Sequence, residues 1–142
     1  MPSYSTEFTS NKSKRVTRLY KDLDLDFGRN VVTNDVNKLT DIEAVKRSVR
    51  NLIQTNHFER PFHPEIGGNV RALLFEPVTP LTALNLQRKI EEVLNNFEPR
   101  IKLVQILANP DIDRNRYQVS ISFYVIGIPQ SVTVETFLER LR

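Results

Sequence analysis

Pro99 divides the chain into two parts with different hydrophobic periods, and that division constrains the fold more than any other single feature. Upstream of it, apolar residues recur at spacings of three and four; downstream they alternate. A proline disfavours helical backbone at the residue before it, so Glu98 must leave the helix that the preceding residues build. The result is a chain that reads as helices first and strands afterwards, with the junction at Glu98-Pro99-Arg100.

The helical part contains two main segments. From about residue 41 to 55, Ile42, Val45, Val49, Leu52 and Ile53 form one apolar stripe, with Glu43, Lys46, Arg47 and Arg50 on the opposite face. Thr40 and Glu43 match a capping box at its start, and Glu43 and Arg47 are spaced for an i, i+4 ion pair. The second helix opens with Thr79 as N-cap and Pro80 at its first position, where proline has no hydrogen bond to lose. Its apolar face comprises Leu81, Leu84, Leu86, Ile90, Val93, Leu94 and Phe97. Between the two helices, Pro61, Pro64, Gly67, Gly68 and Pro77 interrupt any regular element, leaving NVRALLFE as a helix of about two turns.

After Pro99, IKLVQILA (101–108) and RYQVSISFYVI (116–126) are rich in β-branched residues, and Val119, Ile121, Phe123 and Val125 share one face. The turn-rich NPDIDRN between them predicts an antiparallel hairpin. In SVTVETFLERLR, Val132, Val134 and Thr136 alternate while Phe137, Leu138 and Leu141 also fit a helical turn. A strand through about Phe137 is the favoured reading. Pro129 before it and charges at its end suit an edge position. The expected architecture is α+β: a small single domain of two main helices packed on a mostly antiparallel C-terminal sheet.

At 142 residues, 39% hydrophobic and 26% charged, the chain has the size and composition of one soluble domain. It contains no cysteine, which excludes disulfides, thiol nucleophiles and cysteine-ligated metals. It also lacks an apolar run near the ~20 residues of a membrane span, and MPSYSTEFTS lacks the core of a signal peptide. The expectation is a chain made and used without crossing a membrane by itself. The net charge of +3 is unevenly distributed: residues 1–60 carry 11 Lys+Arg against 8 Asp+Glu, residues 61–142 carry 9 against 9. The excess comes from Lys12, Lys14, Arg15 and Arg18 in a Ser/Thr-rich stretch without periodicity. Residues 1–18 are accordingly expected to be a flexible basic arm in front of a domain spanning 19–142.

Signatures of catalysis are weak. Dinucleotide, P-loop and nucleophile-elbow motifs are absent. Asp22, Asp24 and Asp26 have the spacing of a calcium loop, but Phe27 and Thr33 occupy the positions that need Gly and Glu. On an extended segment these aspartates instead face away from Leu23 and Leu25. His57 and His63 lie in a proline-rich loop without further ligands. Glu91, Glu92 and Glu98 could in principle form a glycosidase pair, which makes a peptidoglycan hydrolase the alternative reading, yet nothing marks a pocket that would raise one pKa. Glu98-Pro99-Arg100 is more informative. The rigid proline holds two opposite charges at a forced turn, either as a local ion pair or as a preorganised corner for meeting another chain.

The run RPFHPEIGGNVRALLFEPVTPLTA (60–83), the helix after it and FEPRI (97–101) resemble the GPW-type baseplate wedge proteins of contractile-tailed phages, a family that includes the T-even-like sheath initiators. Type VI secretion baseplates contain a similar subunit. The likeness covers roughly residues 19–137. It rests on several elements in the family's order: Leu19-Tyr20 with Asp22, Arg60-Pro61-Phe62, Pro64-Glu65, Gly67, Leu74-Phe75-Glu76, Pro80-Leu81-Thr82 and Glu98-Pro99-Arg100.

The resemblance implies a structural subunit of a sixfold baseplate around the tail tube, assembled in the host cytoplasm. It also implies that Glu98, Pro99 and Arg100 dock onto the helical core bundle of neighbouring wedge proteins. The sheet would resemble the interlocking domain of the tail sheath protein and nucleate the sheath by strand sharing, through the edge that carries Val132, Val134 and Thr136. Tail tube or hub proteins are further candidate partners. Neither cofactor, metal nor small-molecule substrate is implied, nor a membrane or nucleic-acid partner. Lysozyme activity associated with some members has no acid and nucleophile pair to carry it here.

Overall fold

Alternation in the last third of the chain builds the sheet against which everything else packs. In the computed structural model, which describes residues 19–140, three strands form an antiparallel sheet in the order β3-β4-β5: β3 is Ile101–Asp111, β4 Arg116–Val125 and β5 Ser131–Glu139. Before them come the short strands β1 (Lys21–Leu23) and β2 (Lys38–Thr40), then helices α1 (Asp41–Gln54), α2 (Val70–Leu73) and α3 (Pro80–Phe97). Strands β1 and β2 pair antiparallel as a separate two-stranded sheet.

Register decides which residues form the core. Tyr117, Val119, Ile121 and Phe123 on β4 lie opposite Leu138, Thr136, Val134 and Val132 on β5, so one face of the sheet is continuous. Against it pack Val45, Val49, Leu52 and Ile53 of α1 and Leu86, Ile90, Val93 and Leu94 of α3. Phe123 and Ile121 are fully buried, each contributing about 2–3 kcal/mol of apolar burial. Tyr117 is also fully buried, and its hydroxyl donates to the Pro77 carbonyl at 3.3 Å, so the core carries no unmet phenol. This is the expected α+β arrangement of two main helices on an antiparallel sheet.

Several local expectations hold and others change. The Thr79 hydroxyl accepts from the Thr82 amide at 3.1 Å, with Pro80 opening α3, and the helix ends at Phe97 as Pro99 requires. The capping box at Thr40 does not form: Thr40 sits in the β1–β2 ladder opposite Lys21 and its side chain makes no cap bond. Asp41, with φ of 50°, turns the chain instead, and its carboxylate accepts from the Leu19 and Tyr20 amides. Glu43 pairs with Lys46 rather than Arg47, because Arg47 reaches across to Asp26.

The NVRALLFE segment is helical for one turn only. Beyond Leu73 it continues through tighter i to i−3 bonds (Leu74 to Arg71, Phe75 to Ala72, Glu76 to Leu73) as Pro77 approaches. Strand β3 runs past the expected end at Ala108, through Pro110 to Asp111, since an edge strand can take a proline without losing a ladder bond. Strand β5 is an edge strand, as its composition suggested, and extends two residues past Phe137. The expected basic arm at 1–18 and the fate of Leu141 lie outside the described residues.

A charged corner, an adjoining groove and an open sheet edge

The corner arises where α3 must stop. Glu98 takes the last helical hydrogen bond, its amide donating to Leu94 at 3.0 Å, and then adopts extended φ ahead of Pro99. One turn later the chain is already β3, fastened by the Ile126 amide donating to the Arg100 carbonyl at 2.8 Å. Residues 98 and 100 therefore project from a backbone with helix on one side and sheet on the other.

Their side chains form a two-pronged clamp. Arg100 Nε donates to Glu98 Oε1 at 2.6 Å and Nη2 to Oε2 at 2.8 Å. The Glu98 side chain is 2% exposed and that of Arg100 26%, so the carboxylate is the hidden base and the guanidinium the visible end. Nη1 points to Asp22 Oδ2 at 3.4 Å, and the guanidinium lies 5.7 Å from the centre of the Tyr20 ring. Tyr20 is itself pinned by its hydroxyl donating to the Ile126 carbonyl. Burial alone would push the Glu98 carboxyl up; the two hydrogen bonds from Arg100 outweigh it, the neighbouring Ser48 hydroxyl adds to their effect, and the carboxyl is held below its usual range. Arg100 is pushed above its ordinary value by the same carboxylate, with Asp22 adding to it.

Beside the corner lies a groove of about 820 Å³ bounded by β1, β2, α1, the loop after α1 and the corner itself. Leu23, Leu25, Leu52, Ile66 and Phe97 supply its apolar lining, and Lys21, Lys38 and Arg60 stand at it as well. Residue types alone did not identify Tyr20, Asp22 and Ser48 as members of this constellation. Asp22 lies on the face of β1 opposite Leu23, as alternation predicts, and stays partly exposed; what the pattern could not show is its contact across 78 residues to Arg100. Asp24 and Asp26 are not on a strand at all: the Asp26 amide donates to the Asp24 carboxylate in a turn.

The sheet has two edges of different character. β3 carries a bulge between Leu103 and Gln105 and a proline at 110, devices that discourage strand addition. β5 pairs in uninterrupted register with β4 from Ser131 to Glu139 and has neither bulge nor proline. Val132 and Val134 turn their side chains into the core and Thr136 is half-buried, so what these residues can offer outside is backbone. The outer face carries Ser122 and Thr133, whose hydroxyls lie 3.1 Å apart, and Phe137 under Arg116 at 4.5 Å.

His63 meets only Glu65, at 3.1 Å on the surface, and no group of three or more metal-ligating side chains occurs among the described residues. Glu92 pairs with Lys89 on the exposed side of α3, away from the corner.

The fold is a small α+β domain shared with solved chains of tail baseplates. A Geobacter sulfurreducens protein described as a tail lysozyme superposes with a TM-score of 0.64 at 21% identity, over 69% of this chain and 89% of that one. A chain of the anti-feeding prophage baseplate gives 0.59 at 21% identity over 87% of both, and one of the postcontracted pyocin R2 baseplate 0.57 at 24%, over 70% and 98%. Residues 40–130 match the family model of baseplate wedge protein gp25. Baseplate wedge protein gp25 of Enterobacteria phage T4 is 34% identical over 117 residues, 82% of this chain and 88% of that protein. The chain belongs to the gp25 family of baseplate wedge proteins.

Proposed function

We propose that the chain is a non-catalytic wedge subunit that is anchored by the Glu98-Pro99-Arg100 corner to the core bundle of other wedge proteins and that nucleates the tail sheath by accepting a strand on β5. The observation that carries the anchoring half is the clamp: a buried carboxylate spends both oxygens on holding a guanidinium that is itself partly exposed. Preorganised in this way, Arg100 loses little side-chain freedom when it meets acceptors on a partner. For the nucleating half, the support is the contrast between a blunted β3 and an uninterrupted β5, since main-chain bonding to an added strand demands little of the side chains.

A hydrolase reading draws on the likeness to the tail lysozyme, which at 21% identity is a likeness of fold. The corner argues against it. A glycosidase acid needs a raised pKa, whereas Glu98 is held low and has both oxygens engaged.

Incorporation into baseplates tests the proposal. Arg100→Ala should be absent from assembled particles, as should Glu98→Gln/Arg100→Gln, which removes both charges while keeping amide hydrogen bonding at the corner. Normal incorporation of the folded double variant would rule out anchoring. A cell-wall clearing assay on the purified protein should match an inert control.

A further inference from the structure

The groove beside the corner contains a charge imbalance that the clamp does not use. Its carboxylates are committed internally: Glu98 and Asp22 both face Arg100, and Asp26 just beyond faces Arg47. Lys21, Lys38 and Arg60 are exposed, and among the described residues none of them makes an ion pair. Lys21 and Lys38 project from the same face of the β1–β2 pair, two positions apart along the ladder, while Arg60 enters from the loop after α1. In the same groove Leu23 and Leu25 are 59% and 51% exposed and join Ile66 and Phe97 in one apolar lining bordered by these cations.

We propose that this groove receives a polypeptide segment whose apolar side chains cover Leu23 and Leu25 and whose flanking Asp or Glu residues meet Lys21, Lys38 and Arg60. It rests on the anchoring reading and adds to it the chemistry of the occupant. A neutral apolar segment would cover the leucines but leave the three cations without partners, and a basic one would be repelled. A nucleic acid would satisfy the cations but needs flat rings to stack on, and the groove's described lining offers Phe97 as its one aromatic side chain. An acidic-flanked apolar segment satisfies both the leucines and the cations.

Two measurements on assembled baseplates decide it. In particles built with the unmodified protein, zero-length carbodiimide coupling should join Lys21 or Lys38 to an Asp or Glu of another baseplate polypeptide, next to apolar residues. Lys21→Glu/Lys38→Glu/Arg60→Glu should melt like the parent, because all three side chains are exposed, yet enter particles about tenfold less well, with the triple alanine variant intermediate. Should the charge-reversed protein melt low, the alanine triple decides alone. Entry of the reversed or alanine triple at parental level, coupling to a second copy of this chain, or release of the protein by nuclease would each overturn the inference. If the triple enters normally while the Arg100 variants do not, anchoring survives and only the acidic occupant falls. If all of them enter normally, the anchoring reading fails with it.

Discussion

Arg100 and Glu98 are two residues apart across a proline, yet their side chains meet through two parallel hydrogen bonds of 2.6 and 2.8 Å. The carboxylate is buried at the junction of α3 and β3, so this pair is more than the exposed local ion pair of at most about 1 kcal/mol that its spacing alone would suggest. It joins the helix end, the start of the sheet and, through Asp22 and Tyr20, the entering chain.

Removing one partner of the clamp should therefore cost more than removing both. Arg100→Ala leaves the Glu98 carboxylate buried with little beyond Ser48 to face, and should lower unfolding free energy by about 2–4 kcal/mol. Glu98→Gln/Arg100→Gln should recover at least half of that loss. Urea denaturation of the three proteins measures it; equal losses for single and double variants would mean that the pair is not coupled.

Acid should unfasten the same corner. The folded-state pKa of Glu98 lies below its ordinary value of about 4.3–4.5, so the unfolded chain takes up this proton first as pH falls. The stabilisation is present above the unfolded value and is lost as pH drops through the folded one. Melting curves between pH 2.5 and 7 should show a shallower acid decline for Glu98→Gln than for the parent, whereas superimposable acid limbs would remove Glu98 from the account.

The two helix starts should respond differently to the same substitution. Thr79→Ala deletes the hydroxyl that accepts from the Thr82 amide and should cost about 1 kcal/mol. Thr40→Ala deletes a hydroxyl that makes no cap bond and should cost less than half as much. Thermal unfolding of the pair is the check, and a larger loss at Thr40 would restore the capping box.

Gly67 has φ of 134°, and a Cβ placed there would come within 2.7 Å of the Thr55 carbonyl oxygen and the Asn56 carbonyl carbon. Backbone cannot yield as a side chain tip can, so Gly67→Ala should destabilise by about 2–3 kcal/mol. Because the loop it shapes delivers Arg60 and Ile66 to the groove, the variant that does fold should also enter baseplates poorly. Parental stability in denaturant would show that the loop has another conformation open to it.

What could be read from residues alone was whatever depends on short-range pattern. The change of period at Pro99, the Thr79-Pro80 start and the inward face of β4 follow from spacing and from proline's missing amide. Capping at Thr40 failed because pairing of β1 with β2, a contact across some twenty residues, had already committed that backbone. The place of Asp22 on the face opposite Leu23 was legible from alternation, but its contact with Arg100 was not, because no local pattern encodes a partner so distant in sequence. The corner itself was recognisable because its constraint is local, but the burial that makes Glu98 the hidden half needed α1 and Ser48 in place.

The most direct test of anchoring and strand sharing is a structure of the assembled baseplate at a resolution that shows side chains. The account predicts the Arg100 guanidinium within hydrogen-bond distance of a wedge-protein acceptor and a sheath strand paired along Ser131–Glu139 of β5. Solvent at Arg100 together with an unpaired β5 edge, in a particle whose first sheath ring is in place, would contradict it.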